Sequence, residues 1–154
     1  MRVVHVYKDY DPVFGGIENH IRVLAERQAA AGLEVGVLVC NPCGQPAREA
    51  RAGVEILRAR RLATALSMPI SVDQPWRQWR LPTDIVHVHS PNPLGEISAL
   101  ACRRDARLLI TWHCDVIRQR RALRVYAPLL RRVLSSADAI FATSPVSYTQ
   151  LRAH

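Results

Sequence analysis

Two short stretches concentrate groups able to do chemistry. In "TWHCDVIRQRR", residues 111–121, His113 and Asp115 come directly after an apolar run, with Arg118, Arg120 and Arg121 close behind. An imidazole and a carboxylate after a buried strand stand where loop residues face a ligand, and guanidinium groups can grip phosphate in bidentate fashion. For Arg120 and Arg121 a solvated helix face is the simpler account. In "DPVFGGIENH", residues 11–20, Gly15 and Gly16 stand immediately before a helical pattern. A helix N-terminus offers unpaired N–H groups and partial positive charge, and glycine lets an anion reach that backbone with no Cβ in the way. The pair matches neither the G-x-G-x-x-G fingerprint nor a P-loop. On its own it reads equally as a turn, and Glu18 and His20 fall inside the helix, where capping or packing accounts for them.

His87 and His89 lie two apart in "DIVHVHS" and so share one face of a strand. His87 is mid-strand and reads as a core histidine, whereas His89 is nearer the strand end. A zinc site of His87, His89 and Cys114 is conceivable but lacks any usual ligand spacing. Cys40 and Cys43 form a lone C-x-x-C with no second pair nearby; with Cys102 and Cys114 they read as reduced thiols.

The elements that must position these groups follow from patterning. Apolar, β-branched strands are expected at Arg2–Tyr7, Glu34–Cys40, Gly53–Ala59, Asp84–Ser90, Ala106–Trp112 and Asp138–Ser144. Between them, Ile17, Ile21, Leu24 and Ala25 recur at helical spacing and Gly32 ends that helix. Further helices are expected over about 94–102 and 119–134, and Pro145 opens another. Residues 62–80, divided by Pro69 and Pro75, stay ambiguous; Trp76 and Trp79 either cap a short helix or sit on the surface. Alternating strands and helices imply an α/β domain, a doubly wound, Rossmann-like open parallel sheet of six or seven strands covered on both faces. Ligands of such sheets bind beyond the carboxyl ends of the strands. Gly15, Gly16, Asn92, His113 and Asp115 all follow strand ends, and His89 lies one residue before one.

The chain has 154 residues and a net charge of +8, with Lys8 its single lysine. That length supports one domain with a sizeable core. No apolar run nears the roughly 18 residues that span a bilayer, and no signal peptide is recognisable, so a cytoplasmic location is expected. The positive balance suits nucleotide, anionic lipid or nucleic acid. For nucleic acid, no zinc finger, RNA-recognition aromatic motif or base-reading helix is present.

With those residues in place, the sequence resembles the N-terminal domain of a family 4 retaining glycosyltransferase of the GT-B fold, mannosyltransferase-like. The resemblance runs over nearly the whole chain, with residues 1–154 as one domain, and is carried by "VYKDYDPVFGGIENHIRVLAERQAAAGLEVGVLV" near the start, "SMPIS" at 67–71, "DIVHVHSPNPL" at 84–94, "TWHCDVIRQ" at 111–119 and "ADAIFATSP" at 137–145. It implies an acceptor-side Rossmann-like domain, a fragment whose donor-binding C-terminal domain lies outside the chain and which alone would not turn over. It implies transfer of a sugar from a GDP- or UDP-linked donor, with retention, to a glycan or lipid-linked acceptor of a bacterial cell envelope. No cofactor or metal is expected, because helix dipoles and basic residues hold the leaving diphosphate. Gly15 and Gly16 would lie near that diphosphate and His113 beside the donor sugar, hydrogen-bonding a hydroxyl or the diphosphate. Asp115 would orient an acceptor hydroxyl or hold His113. Lys8, Tyr10, His89, Asn92 and Arg118 would line the acceptor wall. Cys114 departs from the small polar residue of relatives. Peripheral membrane contact through the arginine-rich 118–132 face is a further expectation. The alternatives are a non-catalytic nucleotide- or phosphate-binding α/β module and, less supported, a basic nucleic-acid-binding domain.

Overall fold

The computed structural model describes residues 1–42, 47–65, 68–102, 105–113, 120–145 and 149. Its strands are β1 (Arg2–Val6), β2 (Glu34–Cys40), β3 (Ala47–Arg51), β4 (Val54–Ala59), β5 (Ala63–Ala65), β6 (Met68–Ile70), β7 (Ile85–Ser90), β8 (Arg107–Trp112) and β9 (Ala139–Ala142). Its helices are α1 (Gly16–Ala30), α2 (Gln74–Arg80), α3 (Pro93–Cys102) and α4 (Arg120–Ser135). Seven strands form one sheet in the order β3-β4-β2-β1-β7-β8-β9, and β5 pairs with β6 in a separate two-stranded sheet. All neighbours in the main sheet are parallel except the β3–β4 edge pair. This is the doubly wound α/β architecture that the alternation of strands and helices requires.

Two faces of the sheet receive different side chains because strand residues alternate. Val4, Val6, Val86, Val88, Leu108 and Ile110 join one apolar cluster with Ala99 of α3 and Val133 of α4. Tyr7, Val35, Val37, Val39 and Ile56 join the other, closed by Ile21 and Ala25 of α1. His5, His87 and His89 lie out of step with the first cluster, between its valines. They therefore face the side that α1 covers.

Local chemistry explains the element ends. Gly32, at φ +86°, follows α1. The Leu33 N–H bonds to the Gln28 carbonyl at 3.2 Å and the Gly32 N–H to Ala29 at 3.0 Å, the paired bonds of a Schellman stop. Ala52 (φ 49°) and Gly53 (φ 78°) make the two-residue turn between β3 and β4, a conformation matched to the twist of a hairpin. The edge strand β3, "AREAR", is exposed throughout and carries no apolar alternation, so its sequence gives no strand signal. The β5–β6 hairpin, three residues to a strand, is too short to show a period of its own. Within 62–80, α2 is a seven-residue helix on which Trp76 and Trp79 remain 53% and 49% exposed.

The β1–β7 junction is the point at which the chain's crossovers diverge, β1 leading to β2 on one side and β7 to β8 on the other. Among the described residues, no helix is long and apolar enough to cross a membrane.

Packing predicts a sharp contrast in stability. Leu108→Ala, at a fully buried sheet position, should cost about 2–5 kcal/mol in denaturant unfolding. Val72→Ala, at an exposed position, should stay within about 0.5 kcal/mol. Equal effects at the two positions would contradict this division of core and surface.

Candidate active site

The parallel register sets His5 of β1 beside His87 of β7. Since His87 and His89 share a face, three imidazoles gather at the centre of the sheet, with ring centroids 4.6 to 5.3 Å apart. His113, the first residue after β8, adds a fourth; its N–H bonds to the Ser90 carbonyl at 3.1 Å. Its ring stacks on His89 at 5.3 Å. His20 comes from α1 and meets His113 edge-on at 5.0 Å. Five of the six histidines in the chain thus form one cluster.

The rings are joined by hydrogen bonds. His5 Nε2 lies 2.7 Å from Gln28 Oε1. His5 Nδ1 is 3.0 Å from His89 Nε2, and His89 Nδ1 is 3.0 Å from His113 Nε2. His87 Nε2 pairs with Thr111 Oγ1 at 2.7 Å. Burial disfavours the cationic form of every ring in this row. His5 is lowered from 6.5 to about 4, chiefly by burial, against the bond to Gln28. Burial, then the charges of neighbouring rings, lowers His87 to about 3 and carries His89 well below the usual range. His113 falls to about 4, through burial first and His20 second.

The turn after β7 is braced by one buried carboxyl. Glu96 Oε1 accepts from Ser90 Oγ at 2.8 Å and from the Asn92 N–H at 3.0 Å, and Tyr126 donates to Oε2. Burial raises the Glu96 carboxyl pKa despite these donors. Asn92 in turn caps α3 through the Gly95 N–H. A Cβ at Gly95 would collide with the Asn92 amide and Val6, so only glycine fits there.

Gly15 and Gly16 open α1, and neither has a backbone that demands glycine. Gly15 is extended, at φ −171° and ψ 165°. A Cβ on Gly16 would meet nothing within 4 Å, and one on Gly15 would meet only the flexible end of Glu18. Neither strain nor packing within the chain therefore calls for the pair. Among the described residues no side chain makes a capping hydrogen bond to this helix N-terminus, over which the Glu18 carboxylate folds back; it lies one turn before His20, whose ring meets His113.

Most of the anticipated residues have a definite place. His113 is half-buried at the strand ends, and Gly15 and Gly16 are exposed one helical turn before His20, whose ring meets His113. Lys8 lies over the Tyr7 ring at 5.8 Å. His89 is 0% exposed and sits behind His113; Asn92 is 4% exposed and Tyr10 3%, the latter packed in the core beneath α1. These three reach a ligand only through their neighbours in this conformation. Asp115, Arg118, Cys43 and Cys114 lie outside the described residues. Sequence reasoning missed His5, His20, Gln28 and Thr111. The signal for His5 was available: a doubly wound strand order sets the fourth parallel strand beside the first, and so brings "VVHVY" against "VHVHS".

The expectation of no metal took the chain to lack an Asp-x-Asp pair, and that is corrected by the sequence itself: Asp9 and Asp11 form one in the loop after β1. Asp9 pairs with Arg61, and Asp11 Oδ2 with Arg51 at 2.5 Å, so both carboxylates are already matched by cations. The ring nitrogens of His5, His87 and His89, and of His20, His89 and His113, come within 4.8 Å of one another, close enough to suggest a metal. Yet the facing nitrogens of His5, His89 and His113 are engaged with each other, and a cation would have to break those bonds.

Residues 14–154 match the domain family described as Glycosyltransferase Family 4. The chain belongs to glycosyltransferase family 4. It is 34% identical over 148 residues to the O-antigen chain mannosyltransferase C of Escherichia coli, covering 94% of this chain and 40% of that protein. It is 34% identical over 149 residues to the D-rhamnosyltransferase WbpZ of Pseudomonas aeruginosa, covering 94% and 39%. This family 4 chain thus spans about two-fifths of the length of the curated relatives it matches. In structure it resembles sucrose-phosphate synthase from Thermosynechococcus elongatus, with a TM-score of 0.71 at 17% identity over 99% of this chain and 44% of that one. That likeness supports the GT-B Rossmann-like fold.

The lowered histidines make the domain sensitive to acid. Below pH 6.5 the unfolded chain protonates these rings, whereas folded His5 and His113 resist until about pH 4 and His87 until about pH 3. Stability is therefore fully present above pH 6.5 and is lost as pH falls toward 4, at up to about 1.4 kcal/mol per pH unit for each buried ring. Thermal melting should drop steeply between pH 7 and pH 5; a flat profile there would contradict neutral burial of the row.

Proposed function

We propose that this chain is the acceptor-side half of a nucleotide-sugar-dependent glycosyltransferase. It works with a donor-binding domain outside residues 1–154 and transfers a hexose with retention of anomeric configuration. The observation that carries the reading is the pair Gly15–Gly16: two glycines without strained backbone at a helix N-terminus one turn before His20, whose ring meets His113, with only the movable Glu18 side chain folded over Gly15. A diphosphate leaving group would match that helix end in sign, since backbone N–H groups and the helix dipole stabilise negative charge. His113 would contact the donor sugar, with Asp115 orienting an acceptor hydroxyl, and Lys8 and Arg118 flanking the acceptor.

The relatives named for mannosyl and rhamnosyl transfer, one of them for an O-antigen chain, support a hexose of that kind and a cell-envelope glycan as acceptor, and on this reading the donor is GDP-linked. A UDP-linked donor is the alternative. On this reading the acceptor is lipid-linked at the cytoplasmic face of the membrane, and a basic chain would be drawn to that anionic surface. The leaving diphosphate then needs no metal, because helix N-terminus and guanidinium groups serve in its place.

Two substitutions in the complete protein test the assignment. Gly16→Val introduces a side chain into space that the fold leaves empty, so unfolding should be little changed while donor turnover falls by about tenfold or more. Unchanged turnover would remove the glycines from the site. His113→Ala should depress kcat by about 10²-fold or more with the protein still folded. Near-normal kcat would leave His113 a structural residue.

A further inference from the structure

The segment from β6 through α2 is built inside out. An extended run alternates its faces, and a surface helix ordinarily turns its apolar stripe inward and its polar residues to solvent. Here the inward positions are polar: Ser71, Gln74 and Gln78 are all buried. The outward positions are apolar: Ile70, Trp76 and Trp79 are about half exposed and Val72 is 71% exposed. Leu62, also exposed, joins them through its N–H bond to the Ile70 carbonyl at 2.9 Å. The inward amides are poorly matched to their surroundings. Gln74 Oε1 accepts from the Cys40 thiol at 3.1 Å. The Gln74 amide nitrogen and both polar atoms of Gln78 find no hydrogen-bond partner among the described residues. Apolar residues inside and glutamines outside would suit the domain better, so its own packing does not account for the outward tryptophans.

Charge around this face is one-sided. Residues 60–80 hold four arginines, Arg60, Arg61, Arg77 and Arg80, and one acid, Asp73. The Asp73 carboxylate is already engaged. It accepts from Arg77 Nε at 2.7 Å, from Ser71 Oγ at 2.7 Å and from the Arg60 N–H at 3.0 Å. The Arg80 guanidinium lies over the Trp76 ring, 4.7 Å from its centroid, so the apolar face itself carries a cation. Indole and aliphatic side chains edged by guanidinium fit a lipid interface, where the rings enter the headgroup boundary and the cations meet phosphate.

We propose that the outward face of β6 and α2, with Leu62 beside it, is the surface by which this protein docks on a bilayer of anionic phospholipid. The contact is peripheral. With seven residues, α2 is roughly 10 Å long, enough to lie among headgroups and too short to cross. Its place in the fold gives the contact a use, and here the inference rests on the glycosyl-transfer reading with a lipid-linked acceptor. The chain enters this segment from Ala59, at the carboxyl end of β4, and Cys40 at the carboxyl end of β2 holds Gln74 in the first turn of α2. The docking face therefore starts at the edge of the sheet where His113 stands. Docking brings the strand ends toward the membrane that holds such an acceptor.

Flotation of the complete protein with vesicles tests this. The protein should float with equimolar phosphatidylglycerol and phosphatidylcholine, and bind pure phosphatidylcholine more weakly by roughly tenfold or more. Equal binding to the two would remove the charge complementarity and overturn the proposal. Val72→Ser combined with Trp76→Ala should weaken binding to the anionic vesicles by roughly tenfold or more, with thermal melting little changed because both side chains face outward. A complete protein that does not float would overturn the proposal and leave the face to be covered by the rest of the molecule. Full binding by the folded variant would also overturn it, and would move the contact elsewhere, residues 118–132 included. If the variant does not fold, hydrogen exchange of the wild-type protein decides: vesicles should slow exchange across residues 68–80, and unaltered exchange there would overturn the proposal. Vesicle binding by a protein without sugar transfer would count against the functional reading and leave the docking face standing; transfer without vesicle binding would do the opposite.

Discussion

Everything at the strand ends depends on keeping a row of imidazoles neutral and hydrogen-bonded in the middle of a sheet. Valine or isoleucine at positions 5, 87 and 89 would extend the apolar packing that surrounds them. Imidazoles there require that each polar nitrogen find a partner, since an unpaired one in this interior costs about 1–3 kcal/mol. The β1–β7 register supplies part of the answer by setting His5 beside His87. The remaining partners come from α1, β8 and the residue after it, as Gln28, Thr111 and His113.

That requirement also fixes where α1 lies. To deliver Gln28 to His5, the helix must run back across β1 with its apolar stripe, Ile21 and Ala25, against the same face. Its first turn then comes to rest at the carboxyl ends of the strands, with His20 against His113 and Gly15–Gly16 at the open tip. A second brace comes from the other side of the site. Glu96 ties the end of β7 to the start of α3 and, through Tyr126, to α4. His113 is thus held between a polar row behind it and a pinned turn beside it. Such support from neighbouring groups is what keeps a working side chain in one orientation.

Much of this was legible in the residues. The parallel strands showed themselves as apolar runs, and α1 was bounded by its glycines: Gly16 opens it and Gly32 supplies the left-handed stop. His113 and the glycine pair were legible because both follow strand ends, where open α/β sheets place ligands. The short pieces were not. Strand β3 is polar and exposed, and its pairing depends on the two-residue turn at Ala52–Gly53 rather than on any pattern of its own. His5 and Gln28 were invisible as members of the histidine cluster because their meeting is wholly tertiary: each is ordinary in its own element, and only strand adjacency and helix placement join them. His20 reads as a packing residue in the sequence for the same reason. The burial of Tyr10 and Asn92 was equally hidden, since a loop residue's orientation is set by the turn it caps or the core it fills.

On the proposed reading this family 4 Rossmann-like half divides the labour, with the α1 N-terminus for the anion and His113 for the sugar. Its most direct test is a panel of GDP- and UDP-linked sugars offered to the complete protein with a cell-envelope glycan acceptor, reading released nucleoside diphosphate. The predicted result is acceptor-dependent release from one donor class. A protein that binds a nucleotide-sugar yet neither transfers nor hydrolyses it would contradict this division of labour, and would identify the fold as a binding module.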